Sequence, residues 1–293
     1  MIDRLSVLCF AGTYGLALAA DLARLILRVP VRWHAAVGLA ALGWVVHTAF
    51  LANLAWRAGQ VPIGTVFHSL LVLAWILSGI GLYLTFRAPK PSAIGVFVLP
   101  LVLALLATAV AMPAEARADW TRLGGWETVW GTIHGLLLLL GAVSTCVAFL
   151  AGLMYLAQAD RLKRKRPQRF GIALPSLEQS ERWNRAAITL AFPMLTAGLA
   201  IGIALNAGSR REGRAVLDWS DPKVISAAGL WVVFAALLHV RYRPEWRGKR
   251  VMLLTVLAFA FMLFTLLGVD LLLPTAHGVA RGAGGGQGLE VSP

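Results

Sequence analysis

Eight apolar runs, each near the length of a bilayer crossing, restrict this chain more than any other feature. They lie at about 5–27, 34–56, 67–86, 94–112, 128–157, 186–206, 224–240 and 251–273. A hydrocarbon core of ~30 Å takes about 20 apolar helical residues to cross. Inside lipid a backbone must satisfy its own hydrogen bonds, and a helix does so within one segment. The runs predict an all-α, polytopic integral membrane bundle of about eight transmembrane helices. Composition agrees: 58% of the 293 residues are hydrophobic and 14% are charged, too few charges to cover a water-soluble surface. Pro30, Pro62, Pro91 and Pro113 fall between runs, where a missing N–H costs least. Trp33, Trp56, Trp126, Trp130, Trp183 and Trp246 mark run edges, where an amphipathic ring suits the interface. The first run has no clear cleavage site and reads as a retained helix.

The formal net charge of +13 does not point to nucleic acid, because the basic residues cluster in short connections between apolar runs. Head groups and the insertion machinery sort positive charge in that way. The connections after runs one, three, five and seven, counted with Arg24 at the end of run one, hold 18 of the 27 Lys and Arg, so they are expected to face the cytoplasm. Both termini then lie outside, as does "LDWSDPK" at 217–223. The long inner loop 159–186, basic and then amphipathic, reads as an interfacial segment; docking of a partner is the other reading. Residues 1–277 read as one transmembrane domain, and 278–293 as a disordered glycine-rich tail. No strong internal repeat stands out. Cys9 and Cys146 lie inside apolar runs and are expected to be buried thiols. No CxxC or CxxCH occurs, which argues against a zinc site or covalently attached heme.

Six histidines carry the chemistry. His134 opens the fifth run and His277 follows the eighth, both outside, on either side of "LDWSDPK" in the chain. Two outer imidazoles could supply the fifth and sixth ligands of a heme iron. Trp219, Trp126 and Trp130 could supply an aromatic floor, and Lys223, Arg210, Arg211 and Arg214 cationic partners for the propionates. The arginine-rich stretch reads equally as a solvated loop. Asp221 followed by Pro222 is a helix N-cap and first-turn arrangement, which by itself explains "DPK". His47 sits deep in the second run, about 13 Å from its outer edge by helical rise, where a histidine is costly and more often functional. His68 lies at the outer end of run three, and His34 and His239 at inner ends.

These residues carry a resemblance. "WETVWGTIHGLLLLLGAVSTCVAFLAGLMYLAQADRLKRK", "LPSLEQSERWNRAAITLAFPMLTAGLAIG" and "DPKVISAAGLWVVFAALLHVRYRPEWRGKRVMLLTVLAFAFMLFTLLGVDLLLPTAH" are similar in order and spacing to the cytochrome c assembly family. That is the CcsA, CcmC and HemX group of heme-handling membrane proteins. The likeness spans about 128–277 and is weaker in the first half. It implies that His134 and His277 are the outer heme ligands and that Asp221 and Trp231 belong to a heme-facing tryptophan-rich segment, beside Trp219. It further implies that His239 is an inner-side ligand. The segment departs from the family's pattern at Ser220 and Ser226, where tryptophans are expected, which places the chain near the HemX-like branch.

The resemblance implies a non-enzymatic, heme-binding protein of cytochrome c assembly in a bacterial inner membrane. Heme b would be held non-covalently, as cargo or ligand. Its partners would be membrane lipid, a second assembly subunit and apocytochrome c. The alternative is a HemX-like scaffold that docks a heme-synthesis or assembly partner through 159–186. A transporter of another small molecule is disfavoured, because the runs hold acids only near their ends, at Asp21 and Asp270.

Overall fold

A computed structural model describes residues 2–24, 33–59, 61–63, 65–88, 92–112, 126–165, 173–211, 218–243 and 248–269. Eight α-helices follow one another: α1 (Ile2–Leu22), α2 (Trp33–Ala58), α3 (Val66–Arg87), α4 (Ile94–Ala111), α5 (Trp126–Lys163), α6 (Leu177–Arg211), α7 (Pro222–Arg241) and α8 (Lys249–Leu263). A π-helical turn, Phe264–Gly268, continues α8. No strand occurs among the described residues. Seven of the helices, α2 to α8 with its π-helical extension, are long and apolar enough to cross a membrane. The described apolar part of α1 is Val7–Leu22; the end of its expected run, and the tail 278–293, lie outside the described residues.

Helix ends obey local chemistry. Thr65 caps α3 by accepting from the His68 N–H at 3.2 Å, and its hydroxyl also meets His68 Nδ1 at 2.7 Å, satisfying a donor that the first turn would otherwise orphan. The fifth and sixth helices run well past their apolar stretches. At 38 and 35 residues they are about 57 and 52 Å long by helical rise, against the ~30 Å of a hydrocarbon core. Hydropathy marks where lipid ends, not where helix ends. Arg, Lys, Gln and Glu keep good helix propensity in water, and the pairs Asp160–Arg164 (2.9 Å) and Glu181–Arg185 (3.8 Å) lie one turn apart. Much of the loop read over 159–186 is therefore helix. Residues 166–172 lie outside the described residues, and the Ala93 N–H donates to the Ala173 carbonyl at 3.2 Å, pinning the loop's far end to the α3–α4 connection.

The sequence shows no strong repeat, yet the architecture repeats. α1 packs on α2 and α4, and α3 on both of those; α5 packs on α6 and α8, and α7 on both of those. α5 joins the two bundles by resting on α3 and α4. A small polar motif recurs at the second-to-third helix seam of each. In the first, the Trp75 indole N–H donates to Thr48 Oγ1 at 2.8 Å, and that hydroxyl donates back to the Trp44 carbonyl at 2.7 Å. In the second, Trp231 donates to Thr196 Oγ1 at 2.9 Å, and Thr196 to the Phe192 carbonyl at 2.8 Å. Each tryptophan also packs on that aromatic neighbour: Trp44 on Trp75 at 5.9 Å, Phe192 on Trp231 at 5.7 Å. Too few positions are shared for the repeat to be visible as sequence.

The interiors differ. In the first bundle the ring of His47 is fully buried, stacked on Phe10 at 4.1 Å and edge-on to Tyr14. Cys146 is buried as expected, but Cys9 faces outward: its place on α1 lies between Val7 and Phe10, which take the core positions. Replacing Thr48 by Val keeps the shape and removes the acceptor of the Trp75 indole. We expect the Thr48→Val protein to lose about 1 kcal/mol in thermal unfolding in detergent, and to lose less than the summed single effects when combined with Trp75→Phe.

Candidate functional site

The second bundle does not fill its interior. Its helices line a half-open cavity of about 490 Å³, inside the ~300–1,000 Å³ range of small-molecule pockets. Its walls are mainly apolar, among them Leu138 and Ala142 of α5, Leu199 of α6, Leu230 of α7 and Leu266 beyond α8. Polar groups enter at His134, Asn206, Ser209, Trp219, Lys223, Trp231 and Thr265.

His134 stands in the third turn of α5, where the side chain leans on α6. Its Nδ1 lies 2.7 Å from the Gly198 carbonyl oxygen. A carbonyl only accepts, so Nδ1 carries a proton, and in the neutral ring Nε2 keeps its lone pair. Imidazoles that bind metals are commonly held in this way by the second nitrogen. Trp231 is held by Thr196 and Phe192, so a flat indole borders the cavity. Trp219 precedes α7 and is half exposed, beside Lys223 of the first turn.

The acids of "LDWSDPK" build the start of α7. Asp221 is buried and its Oδ1 accepts from the Lys223 N–H at 2.8 Å; its carbonyl accepts from Ile225 N–H at 3.1 Å, and Pro222 takes the first helical position. The Asp221 N–H in turn donates to the Asp218 carbonyl at 3.0 Å. Ser220 donates its hydroxyl to Asp218 Oδ2 at 2.8 Å, which holds that exposed carboxyl below the usual carboxylate range. Buried Ser226 donates to the Lys223 carbonyl at 3.1 Å. The two serines at the expected tryptophan positions thus serve the turn and the first helical turn.

Of the residues singled out in the sequence, His134, Trp219, Lys223 and Trp231 border one cavity, and Asp221 caps the helix that carries two of them. His239 does not join them. It lies eight residues beyond Trp231, about 12 Å further along α7, exposed, with Arg243 Nε–H donating to its Nε2 at 3.2 Å. Trp130 is two-fifths exposed and does not line the cavity; Arg210 is exposed. His277, Arg214 and the side chains of Trp126 and Arg211 lie outside the described residues. His34, His47 and His68 belong to the first bundle: His34 is exposed against Trp33, and neither ring nitrogen of His47 has a hydrogen-bond partner among the described residues.

Thr265 escaped sequence reasoning. It sits in the π-helical turn, lines the cavity, and its buried hydroxyl has no hydrogen-bond partner among the described residues. π-turns often mark functional positions, but "FTLLG" reads only as apolar helix. Gly198 escaped as well, although "GLAIG" carries a G-x-x-x-G spacing, a signal for close helix approach.

Comparison with known proteins fits this architecture. The family model described as Cytochrome C assembly protein matches residues 63–277, so the likeness reaches into the first bundle, beyond the 128–277 read from the residues. The chain is 30% identical over 242 residues to protein HemX of Brevibacillus brevis, covering 80% of this chain and 83% of that protein. It is 26% identical over 279 residues to the cytochrome c biogenesis protein CcsA of Parasynechococcus marenigrum (strain WH8102), covering 85% and 90%. It is 26% identical over 252 residues to CcsA of Guillardia theta, covering 80% and 82%. No solved structure matches significantly. The chain belongs to the cytochrome c assembly protein family, as a multi-helix membrane protein.

If Asp221 acts as the cap of α7, Asp221→Ala should cost about 1 kcal/mol of stability in detergent unfolding. Asp221→Asn and Asp221→Ser, which keep an acceptor oxygen, should recover most of it.

Proposed function

We infer that this protein binds heme and handles or delivers it on the outer side of the membrane during cytochrome c assembly, without itself catalysing a reaction. The observation that carries this reading is His134, held by Nδ1 on the Gly198 carbonyl at the wall of an apolar cavity, with Nε2 keeping its lone pair. Heme is flat, largely apolar and edged by two propionates. The apolar walls and the Trp231 and Trp219 indoles suit the porphyrin, and Lys223 suits a propionate. Nε2 of His134 would ligate the iron of a non-covalently held heme b, and His277 would supply a second ligand. His239, at the inner end of α7, would meet heme on the cytoplasmic side. Membership of the cytochrome c assembly family supports the same reading.

In this reading the termini face outward, the membrane is a bacterial inner membrane, and residues 1–277 act as one transmembrane unit. A second assembly subunit and an apocytochrome c would be the partners. The positive-inside count supports that orientation.

The projecting ends of α5 and α6 favour a second reading, in which the inner side docks a heme-synthesis or assembly partner. Capture of such a partner from extract should then fall when the described basic tip, Arg161, Lys163, Arg164 and Lys165, is neutralised; unchanged capture removes that role.

For the leading reading, protein purified in detergent and titrated with hemin should give a six-coordinate, low-spin absorption spectrum. His134→Ala and His277→Ala should each weaken hemin affinity by about tenfold or more, about 1.4 kcal/mol. Loss of binding only on His239→Ala would leave an inner site alone, and no binding after reconstitution would overturn the reading.

A further inference from the structure

The geometry points to Gly202 as the residue that positions His134 for iron ligation, an inference that rests on the heme-binding reading above. α5 and α6 approach through three glycines. A Cβ on Gly141 would lie 2.8 Å from Leu195 Cδ2, and one on Gly198 would lie 2.8 Å from Leu138 Cδ2. A Cβ on Gly202 would lie 2.8 Å from His134 Cε1 and 3.2 Å from Nδ1. Side chains of one helix therefore seat on bare backbone of the other, and at Gly202 the guest is an imidazole.

That difference decides what a methyl group would do. A leucine tip yields by rotating a terminal torsion. The imidazole is a rigid ring with only two torsions, and its Nδ1 is already committed to the Gly198 carbonyl at 2.7 Å. A contact of 2.8 Å cannot be tolerated, so the ring must swing away from α6, and the hydrogen bond to Gly198 stretches or breaks. With it go two properties a ligand needs: the proton fixed on Nδ1, and the basicity that this donated hydrogen bond lends to Nε2. Gly202 thus acts through His134 without touching heme. The G-x-x-x-G pair splits its work, Gly198 supplying the acceptor and Gly202 the slot.

The test uses full-length protein in detergent and hemin as the probe. Gly202→Ala should weaken hemin affinity about tenfold or more and convert part of the low-spin spectrum to high-spin. Gly141→Ala, which crowds the same helix pair against a leucine, should shift the melting temperature comparably and leave the spin state unchanged. In a His134→Gly background, free imidazole should restore the low-spin spectrum, and adding Gly202→Ala should then have no further effect. Wild-type affinity and spectrum in Gly202→Ala, while His134→Ala still weakens binding, would overturn the inference and leave the heme reading intact. So would a Gly202→Ala defect that persists undiminished with free imidazole. Absence of hemin binding in the wild type would remove the heme reading itself. A measurement independent of any crowded variant is nitrogen NMR of heme-free wild-type protein labelled at histidine, assigned with His134→Gln. It should find the His134 proton on Nδ1, and an Nε2–H tautomer would overturn the proposal.

Discussion

Close approach of α5 to α6 underlies the second bundle. Lipid tails are as apolar as leucine, so burial does not drive helices together in a membrane; van der Waals packing and interhelical hydrogen bonds do. Gly141, Gly198 and Gly202 remove side chains where Leu195, Leu138 and His134 must seat. The same seam is tied further towards the Lys163 end of α5, where Asn184 donates to the Ala148 carbonyl at 2.8 Å and to Thr255 of α8 at 3.3 Å. Arg241, at the end of α7, donates to the Glu181 carbonyl at 2.8 Å. α7 and α8 are thus anchored to this pair at that end. The cavity lies towards the other end of the pair, beside His134 and Gly202.

The two bundles show how one architecture can be solid or hollow. Both are closed rings of four helices, and both hold a tryptophan to a threonine across the second and third helices. In the first, Phe10, Tyr14 and His47 fill the interior with stacked rings. In the second, the seam tryptophan, Trp231, faces open space, and the residue before its threonine is Leu195, where His47 precedes Thr48. Different side chains at these corresponding positions accompany the difference between a packed core and a cavity.

Local rules made parts of the site legible. Asp221–Pro222 read as a cap and a first turn, and the structure has both, because such a cap depends on three adjacent residues. The serines at 220 and 226 were legible as departures from an aromatic pattern, but their hydrogen bonds to Asp218 and Lys223 were not. His47 shows the opposite limit. Its depth suggested function, whereas its ring is buried against Phe10, a contact between two helices that hydropathy does not register. α5 and α6 outran their apolar stretches for a related reason: hydrophobicity reports the surroundings, and helix propensity reports the backbone.

By itself, the sequence determined the class of fold, the number of helices and the chemical types available at the helix ends. It could do so because the bilayer imposes one length scale and one backbone solution on every crossing. Tertiary structure alone decided which of the five described histidines borders a cavity, which nitrogen of His134 faces the Gly198 carbonyl, and that Gly202 supplies its slot. Those outcomes depend on rotation of helices about their axes and on distances of a few ångströms between residues more than sixty positions apart. No pattern along the chain encodes them until the helices pack.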